Sequence, residues 1–117
     1  MRGYKILQEK QGYCFLFYPN NSKSFPIGQS PCYESEEKCR KAHREFVSMI
    51  MHKGIKEEKK GLAEVITIDS LKYTYAYYQA GEVVFFRKPP YTNKISAKNI
   101  IKSIYRDLSD YSNIEIE

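Results

Sequence analysis

The 117-residue sequence has no tryptophan, only six glycines, five prolines and three cysteines. Because glycine and proline are scarce and 42% of the residues are hydrophobic, the sequence is neither collagen-like nor intrinsically disordered. Cys14, Cys32 and Cys39 are odd in number and lack the spacing of paired zinc ligands, which favours reduced thiols. No apolar run approaches the ~18 residues of a membrane helix, and no apolar signal stretch follows Met1. We therefore expect one small cytoplasmic domain that does not enter a membrane.

Motifs of the common catalytic and cofactor-binding classes are also missing. The sequence has no Gly-x-Ser-x-Gly elbow, no phosphate loop and no dinucleotide fingerprint. Cys39 and His43 share one helix face, but two ligands do not make a metal site. We interpret Cys39 as a small core residue and His43 as a structural or solvent-edge histidine. The sequence predicts no catalytic residue, no bound metal and no cofactor.

Aromatic residues are abundant, with 11 tyrosines and six phenylalanines, and their pattern occurs twice. A segment with an aromatic residue at every second position recurs 60 residues later, and a tyrosine followed by a polar helix cap recurs at an offset of 58. The matching pairs are Tyr13 with Tyr73, Phe15 with Tyr75, Phe17 with Tyr77, Tyr33 with Tyr91, Ser35 with Asn93 and Phe46 with Ile104. The match preserves both the alternation of residues along the strands and the spacing of apolar residues along the helices. We therefore interpret the chain as two copies of one unit.

Each copy has the pattern β-β-β-α, because alternating aromatic residues are typical of packed strands and an apolar stripe at helical spacing follows. The predicted strands cover about 3–8, 11–18, 24–29, 63–68, 71–79 and 82–87, and the predicted helices cover about 36–52 and 94–107. Asn20-Asn21 occupies a longer turn in the first copy, and Ala80-Gly81 is a tight turn in the second. Phe46 and Ile104 lie in the middle of the apolar stripes of the two predicted helices, so we expect both to be almost fully buried.

These elements predict an α+β fold in which two β-β-β-α repeats form one antiparallel sheet with both helices on one face. The chain is then a single pseudo-symmetric domain of residues 1–117. Repeat one covers 1–52, a polar and charge-rich linker covers 53–61, and repeat two covers 62–117.

The second copy resembles a known repeat. The residues that carry the resemblance are Gly81-Glu82-Val83-Val84, Pro90-Tyr91-Thr92-Asn93-Lys94, Ser96-Ala97 and Ile101-Lys102-Ser103-Ile104. This segment is similar to the repeat of the YegP-like bacterial proteins of unknown function. The first copy matches less well, because Asn20-Asn21 stands in place of the Gly-Glu turn. The resemblance implies tandem repeats, or dimers of single repeats, that combine into one sheet, and it implies no activity, substrate or catalytic residue.

The sheet face opposite the helices is the first candidate for function. The middle strands alternate apolar residues on both faces, so apolar surface is left over whichever register holds. The residues proposed for this interface are Leu16, Tyr18, Tyr75, Tyr77 and Tyr78. A surplus apolar face favours a non-enzymatic interaction module that binds a protein partner or a second copy of the chain. In the competing interpretation, the tyrosine hydroxyls make this face polar enough to stay in contact with water, and the face binds no partner.

Nucleic-acid binding is the alternative function. The chain carries 19 basic and 14 acidic residues, a net charge of +5, which favours anionic partners. Lys94, Lys98 and Lys102 recur at every fourth position of the second helix, and Arg40 and Arg44 are the equivalents of the last two in the first helix. Two basic ridges of this kind suit phosphates, and tyrosines on strands suit stacked bases. Nearby glutamates dilute the ridges, so exposed helix faces that only keep the domain soluble are the competing interpretation.

Overall fold

A computed structural model of the chain describes residues 3–18 and 26–111, with side chains through 107. The strands are β1 (Gly3–Glu9), β2 (Gly12–Tyr18), β3 (Gly28–Gln29), β4 (Ala63–Asp69), β5 (Lys72–Gln79) and β6 (Glu82–Phe86). Helix α1 (Glu36–Lys53) follows β3, and helix α2 (Lys94–Tyr111) follows β6. The predicted turn at Asn20-Asn21 and the predicted start of a strand at residue 24 lie outside the described residues.

All six strands form one antiparallel sheet in the order β1-β2-β3-β6-β5-β4. Each group of three consecutive strands stays together, and the two groups meet where β3 pairs with β6 through Gln29 and Phe86. β1 and β4 are therefore the two edges of the sheet. The predicted α+β class with a single antiparallel sheet is confirmed.

A pair of tyrosines links each aromatic strand to the segment before the following helix. Tyr13 and Tyr33 exchange two backbone hydrogen bonds of 2.8 and 2.7 Å, and Tyr73 and Tyr91 exchange two of the same lengths. These are the tyrosines that match between the two halves of the sequence. The links hold the chain against β2 and β5 before each helix begins.

Polar caps define the starts of both helices. The Ser35 hydroxyl accepts a hydrogen bond from the Lys38 backbone N–H at 3.2 Å, and the Asn93 side-chain oxygen accepts one from Ile95 at 2.7 Å. Gly54 caps the C-terminus of helix α1: its φ of 59° is left-handed, and its N–H donates to the Ile50 carbonyl. The predicted helix starts are confirmed, and both helices extend beyond their predicted ends.

The main core lies between the sheet and both helices. The Tyr77 ring lies edge-to-face on Phe46 of α1 at 5.6 Å, and its hydroxyl donates to the Ile101 carbonyl of α2 at 3.0 Å. Both helices therefore cover the same face of the sheet. Phe46 and Ile104 are 1% and 0% exposed, which confirms the predicted helix phases, and Cys39 is a core residue as expected.

Two residues lie deeper in the fold than their sequence context indicates. Ile55 belongs to the polar segment after α1, yet its side chain is fully buried in the main core. His43 is also buried, with its ring 4.0 Å from that of Tyr4 and 5.3 Å from that of Phe15. The histidine is therefore structural, and the segment after α1 packs against the domain.

Candidate interaction surface

The sheet face turned away from the helices, here called the open face, is crossed by one continuous row of paired residues. Strand pairing places one residue of the row on each strand. In strand order the row is Lys5, Leu16, Gln29, Phe86, Ala76 and Glu64. Because side chains alternate along a strand, these residues lie opposite the aromatic core residues.

The middle of the row is largely apolar and its ends are charged. Leu16 and Ala76 are only 7% and 1% exposed, so the accessible part of the middle consists of the half-buried Phe86 and the half-buried, polar Gln29. Lys5 on edge strand β1 is exposed, and Glu64 on edge strand β4 is half-buried. The open face thus combines a largely apolar, mostly buried centre with opposite charges at its two edges.

Three of the five residues predicted for the interface lie on the open face. Leu16 belongs to the row, and Tyr18 and Tyr78 follow Leu16 and Ala76 at the next position on the same side of their strands. Both tyrosines are half-buried, so part of each ring is accessible.

The prediction is wrong for Tyr75 and Tyr77, which are fully buried on the face covered by the helices. Each hydroxyl finds a backbone acceptor there: Tyr75 donates to the Ile27 carbonyl, and Tyr77 donates to the Ile101 carbonyl. Burial raises the pKa of both phenols above the ordinary value. A tyrosine whose hydroxyl is bonded packs in a core like a phenylalanine, and neither side chain reaches a partner.

The predicted basic residues do not form one surface. Lys94, Lys98 and Lys102 are exposed on α2, and the last two line an open depression of about 720 Å³. Three carboxylates, of Glu57, Glu58 and Glu64, line the same depression together with Lys60. Arg44 lines a different depression, of about 560 Å³, beside residues of its own helix. Arg40 is half-buried and pairs with Glu36 at 3.5 Å.

A group of thiols and a carboxylate at one corner of the open face was not predicted. The side-chain donor atoms of Glu9, Cys14 and Cys32 lie within 4.8 Å of one another. Glu9 ends β1, Cys14 is in β2, and Cys32 belongs to the segment held against β2 by the Tyr13–Tyr33 link. Sequence spacing carries no signal of this group, because the link that assembles it joins residues far apart in the chain. We call it the thiol–carboxylate cluster.

The environment of the cluster suppresses ionisation of its buried thiol. Cys14 is fully buried, whereas Cys32 and Glu9 are half-buried. Burial, followed by the nearby negative charge of Glu9, raises the pKa of Cys14 to about 12. The Cys32 thiol donates to a Glu9 carboxylate oxygen at 3.7 Å.

Comparison with known proteins gives structural relatives only. No protein-family model and no curated protein matches the sequence. The UPF0339 protein SO3888 from Shewanella oneidensis has a similar solution structure, with a TM-score of 0.74 and 12% identity over 98% of this chain and 88% of that one. The protein of unknown function yegP from E. coli matches with a TM-score of 0.64 and 12% identity, over 98% of this chain and 90% of that one.

These matches place the chain in the fold of the YegP-like proteins, as the sequence resemblance implied. Both relatives are of uncharacterised role, so the likeness carries no activity. Among the described residues, neither helix has the length and apolar character needed to span a membrane.

Proposed function

We propose that the chain is a non-enzymatic interaction module that associates with a second copy of itself through the open face. The observation that carries the proposal is the row across all six strands, with Lys5 at one edge and Glu64 at the other. A surface with an apolar centre and opposite charges at its edges is self-complementary when two copies meet in one orientation.

The orientation follows from the charges. Two open faces related by a twofold axis parallel to the strands bring β1 of each copy against β4 of the other. Lys5 then lies opposite the second copy's Glu64, and this contact occurs twice in the dimer. A twofold axis perpendicular to the strands within the sheet plane would instead place Lys5 against the second copy's Lys5. The charge pattern therefore favours the first arrangement.

The size of the open face indicates a weak association. Six strands spaced by about 4.8 Å span roughly 24 Å, and all strands except the two-residue β3 have five to eight residues and are about 20 Å long. One copy would bury about 500 Å², and the dimer about 1,000 Å² in total, near the lower limit for a specific interface. We expect a dissociation constant on the order of micromolar.

The test uses two charge reversals that should be complementary. Lys5→Glu places a carboxylate against the second copy's Glu64, and Glu64→Lys places two lysines together. Each variant alone should dimerise about thirtyfold more weakly than the wild type, because two attractions of about 0.5 kcal/mol become repulsions of similar size, a change of about 2 kcal/mol. Mixing the two variants should restore association, because every contact in the mixed dimer is again between opposite charges. Sedimentation equilibrium measures all three samples.

Lys41→Glu is the matched control and should leave the association constant unchanged, because Lys41 is exposed on α1 and lines a different depression from Glu64. Glu64→Gln separates loss of charge from loss of the hydrogen bond that Glu64 accepts from the Gly61 N–H at 3.0 Å. A wild type that stays monomeric at its highest soluble concentration would refute the proposal. A mixture that associates no better than the separate variants would refute the proposed orientation.

We further infer that the two halves are copies of one β-β-β-α unit, with residues 1–52 and 62–117 as repeats and 53–61 as the linker. Three observations support this inference. The element order is β-β-β-α-β-β-β-α, and the strands of each half follow one another from an edge of the sheet to its centre. The tyrosine link also occurs once in each half, at equivalent positions. A face built from two related halves also suits a twofold partner.

The absence of a catalytic role is part of the proposal. His43 would be the natural base, but it is enclosed by aromatic rings, and burial lowers its pKa to about 4. A base that neither reaches solvent nor ionises near neutral pH does not suit proton transfer. The three free thiols favour a reducing compartment, and we propose the cytoplasm.

Nucleic-acid binding is the second candidate, favoured by the exposed lysines of α2. It is the weaker candidate for two reasons. Glutamates surround Lys98 and Lys102, and Arg44 lies in a separate depression.

A further inference from the structure

The thiol–carboxylate cluster has the donor set of a thiophilic metal site. Its members come from β1, β2 and the segment before α1, and each offers one ligand atom. Two sulfur ligands select for soft or borderline ions such as Zn²⁺ over Mg²⁺ and Ca²⁺, which prefer oxygen ligands. A site with three protein ligands leaves the fourth tetrahedral position for water.

The distances are close to those that a tetrahedral zinc site requires. Zn–S bonds of about 2.3 Å and Zn–O bonds of about 2.0 Å place sulfur and oxygen about 3.5 Å apart and two sulfurs about 3.8 Å apart. The Cys32 sulfur lies 3.7 Å from the Glu9 oxygen, and all three donor atoms lie within 4.8 Å. The separation of the Cys32 and Glu9 donors thus already matches the sulfur–oxygen distance of such a site.

The backbone around the cluster is held in place by several hydrogen bonds. Tyr13 and Tyr33, which flank Cys14 and Cys32, exchange two backbone bonds. The buried Ser30 hydroxyl accepts from the Phe15 N–H at 2.9 Å and donates to the Pro31 carbonyl at 2.9 Å. The segment that carries Cys32 is thus fixed against β2, so little ordering is required when a ligand binds.

Two of the three proposed ligands already contact each other in the free protein. The Cys32 thiol donates a hydrogen bond to the Glu9 carboxylate, and the buried sulfur of Cys14 lies beside both. A bound Zn²⁺ would replace both thiol protons, which pass to the buffer, and would balance two of the three negative charges of the ligands.

We propose that Glu9, Cys14 and Cys32 bind one Zn²⁺ ion through the two sulfur atoms and a carboxylate oxygen. All three ligands belong to one copy, so the site does not require the proposed dimer. It links the β1–β2 hairpin to the segment that leads into α1, so the ion would stabilise the first half of the domain.

The test titrates the fully reduced, metal-free protein with Co²⁺ as a spectroscopic probe and then with Zn²⁺ in competition. The wild type should bind one equivalent of Co²⁺ with near-ultraviolet thiolate-to-cobalt absorption, and Zn²⁺ should displace it. Binding should release protons and raise the midpoint of thermal unfolding. Mg²⁺ should do neither.

Cys32→Ser and Glu9→Gln are the informative variants, because both side chains are half-buried and neither belongs to the main core. Each should weaken Co²⁺ binding by at least about 10- to 100-fold. Cys39→Ala is the matched control: it removes the third thiol but no proposed ligand, and should bind Co²⁺ like the wild type. Far-ultraviolet circular dichroism verifies that each variant is folded.

Three results would overturn the proposal. The first is a reduced wild type without thiolate-to-cobalt absorption. The second is a folded Cys32→Ser variant that binds as tightly as the wild type. The third is a loss of binding in Cys39→Ala equal to that in Cys32→Ser, which would assign the metal to other ligands.

Discussion

At the scale of single residues, buried polar groups on the helix side of the sheet differ in whether they are bonded. Tyr75 and Tyr77 each donate to a backbone carbonyl, which offsets the cost of burying a hydroxyl. The hydroxyl of Tyr4 and Nε2 of His43 are buried and have no hydrogen-bond partner within the described part of the chain. His43 is therefore the residue at which protonation should affect folding most directly.

The stability of the domain should fall in mild acid because of His43. Burial, helped by the positive charges of Arg44 and Arg40, lowers its pKa from 6.5 to about 4. As the pH falls below about 6.5, the unfolded chain takes up the proton before the folded chain does. The stability associated with the neutral ring is complete above pH ~6.5, and about 3 kcal/mol of it is lost by pH ~4.

Urea denaturation of wild type and His43→Leu at several pH values measures this loss. Carboxylates titrate in both proteins, so the difference between the two curves isolates the histidine. Parallel curves between pH ~6.5 and ~4 would contradict the prediction.

Gly28 marks a place where the aromatic core touches the backbone of β3. A Cβ atom at this position would lie well inside contact distance of the Phe85 ring and the Tyr75 hydroxyl. Gly28→Ala should cost about 3 kcal/mol, at the upper end for overpacking, because both neighbours are fully buried. Gly81→Ala, in an open turn with a φ of 81°, should cost only about 1 kcal/mol of backbone strain. Equal free energies of unfolding for the two variants would show that the core around Gly28 yields to the added methyl group.

At the scale of the elements, α1 is the main link between the two halves of the sheet. The Phe46 ring stacks on Phe85 of β6 at 4.7 Å, lies edge-to-face on Tyr77 of β5 and contacts Phe15 of β2 at 5.9 Å. One side chain of α1 thus contacts strands of both halves. The helix thus stabilises the centre of the sheet, where β3 and β6 pair only through Gln29 and Phe86.

Phe46→Ala should lower the free energy of unfolding by about 3 to 5 kcal/mol, because it leaves a cavity in this aromatic cluster. Met51→Ala on the same helix, where the side chain is 39% exposed, should cost less than about 1 kcal/mol. Thermal and urea denaturation measure both. A shift of only one or two degrees in the melting temperature of Phe46→Ala would contradict its central position.

At the scale of the whole molecule, the two halves are joined by side chains more than by backbone pairing. Phe15 of the first half stacks on Phe85 of the second at 5.9 Å, and the Tyr75 hydroxyl donates to the Ile27 carbonyl across the junction. Neither half encloses these aromatic residues alone.

The domain should therefore unfold in one cooperative transition. Far-ultraviolet circular dichroism and tyrosine fluorescence should give the same urea midpoint, and Phe85→Ala should lower both midpoints together. Two separated transitions would show that the halves fold independently.

The charge distribution of the whole molecule predicts no nucleic-acid binding at physiological salt, because carboxylates line the same depression as Lys98 and Lys102. Fluorescence anisotropy with mixed-sequence oligonucleotides at two salt concentrations measures this. Four to five phosphate contacts would give a log–log salt slope of about −3 to −4 for single strands. Micromolar binding with that slope, lost in Lys98→Glu/Lys102→Glu without a change in melting temperature, would instead support the alternative function.

Local sequence patterns are sufficient to predict the type of each element and the buried stripe of each helix. Helical spacing assigned Phe46 and Ile104 to the core, and the alternation around Phe15 and Tyr75 predicted strands, because these periods are properties of the local backbone. The fold class followed, since two sets of three strands with a helix each have few ways to cover one sheet.

Which side of each strand faces the helices depends on how the helices pack on the sheet. Tyr75 and Ala76 are apolar neighbours on opposite faces, so a period of two leaves the assignment open until the helices pack. The positions of Lys5 and Glu64 at opposite edges depend on the strand order, which places β1 and β4 farthest apart. Cys14 and Cys32 meet because the tyrosine link joins the segments that carry them, and such contacts between distant residues leave no local pattern in a sequence.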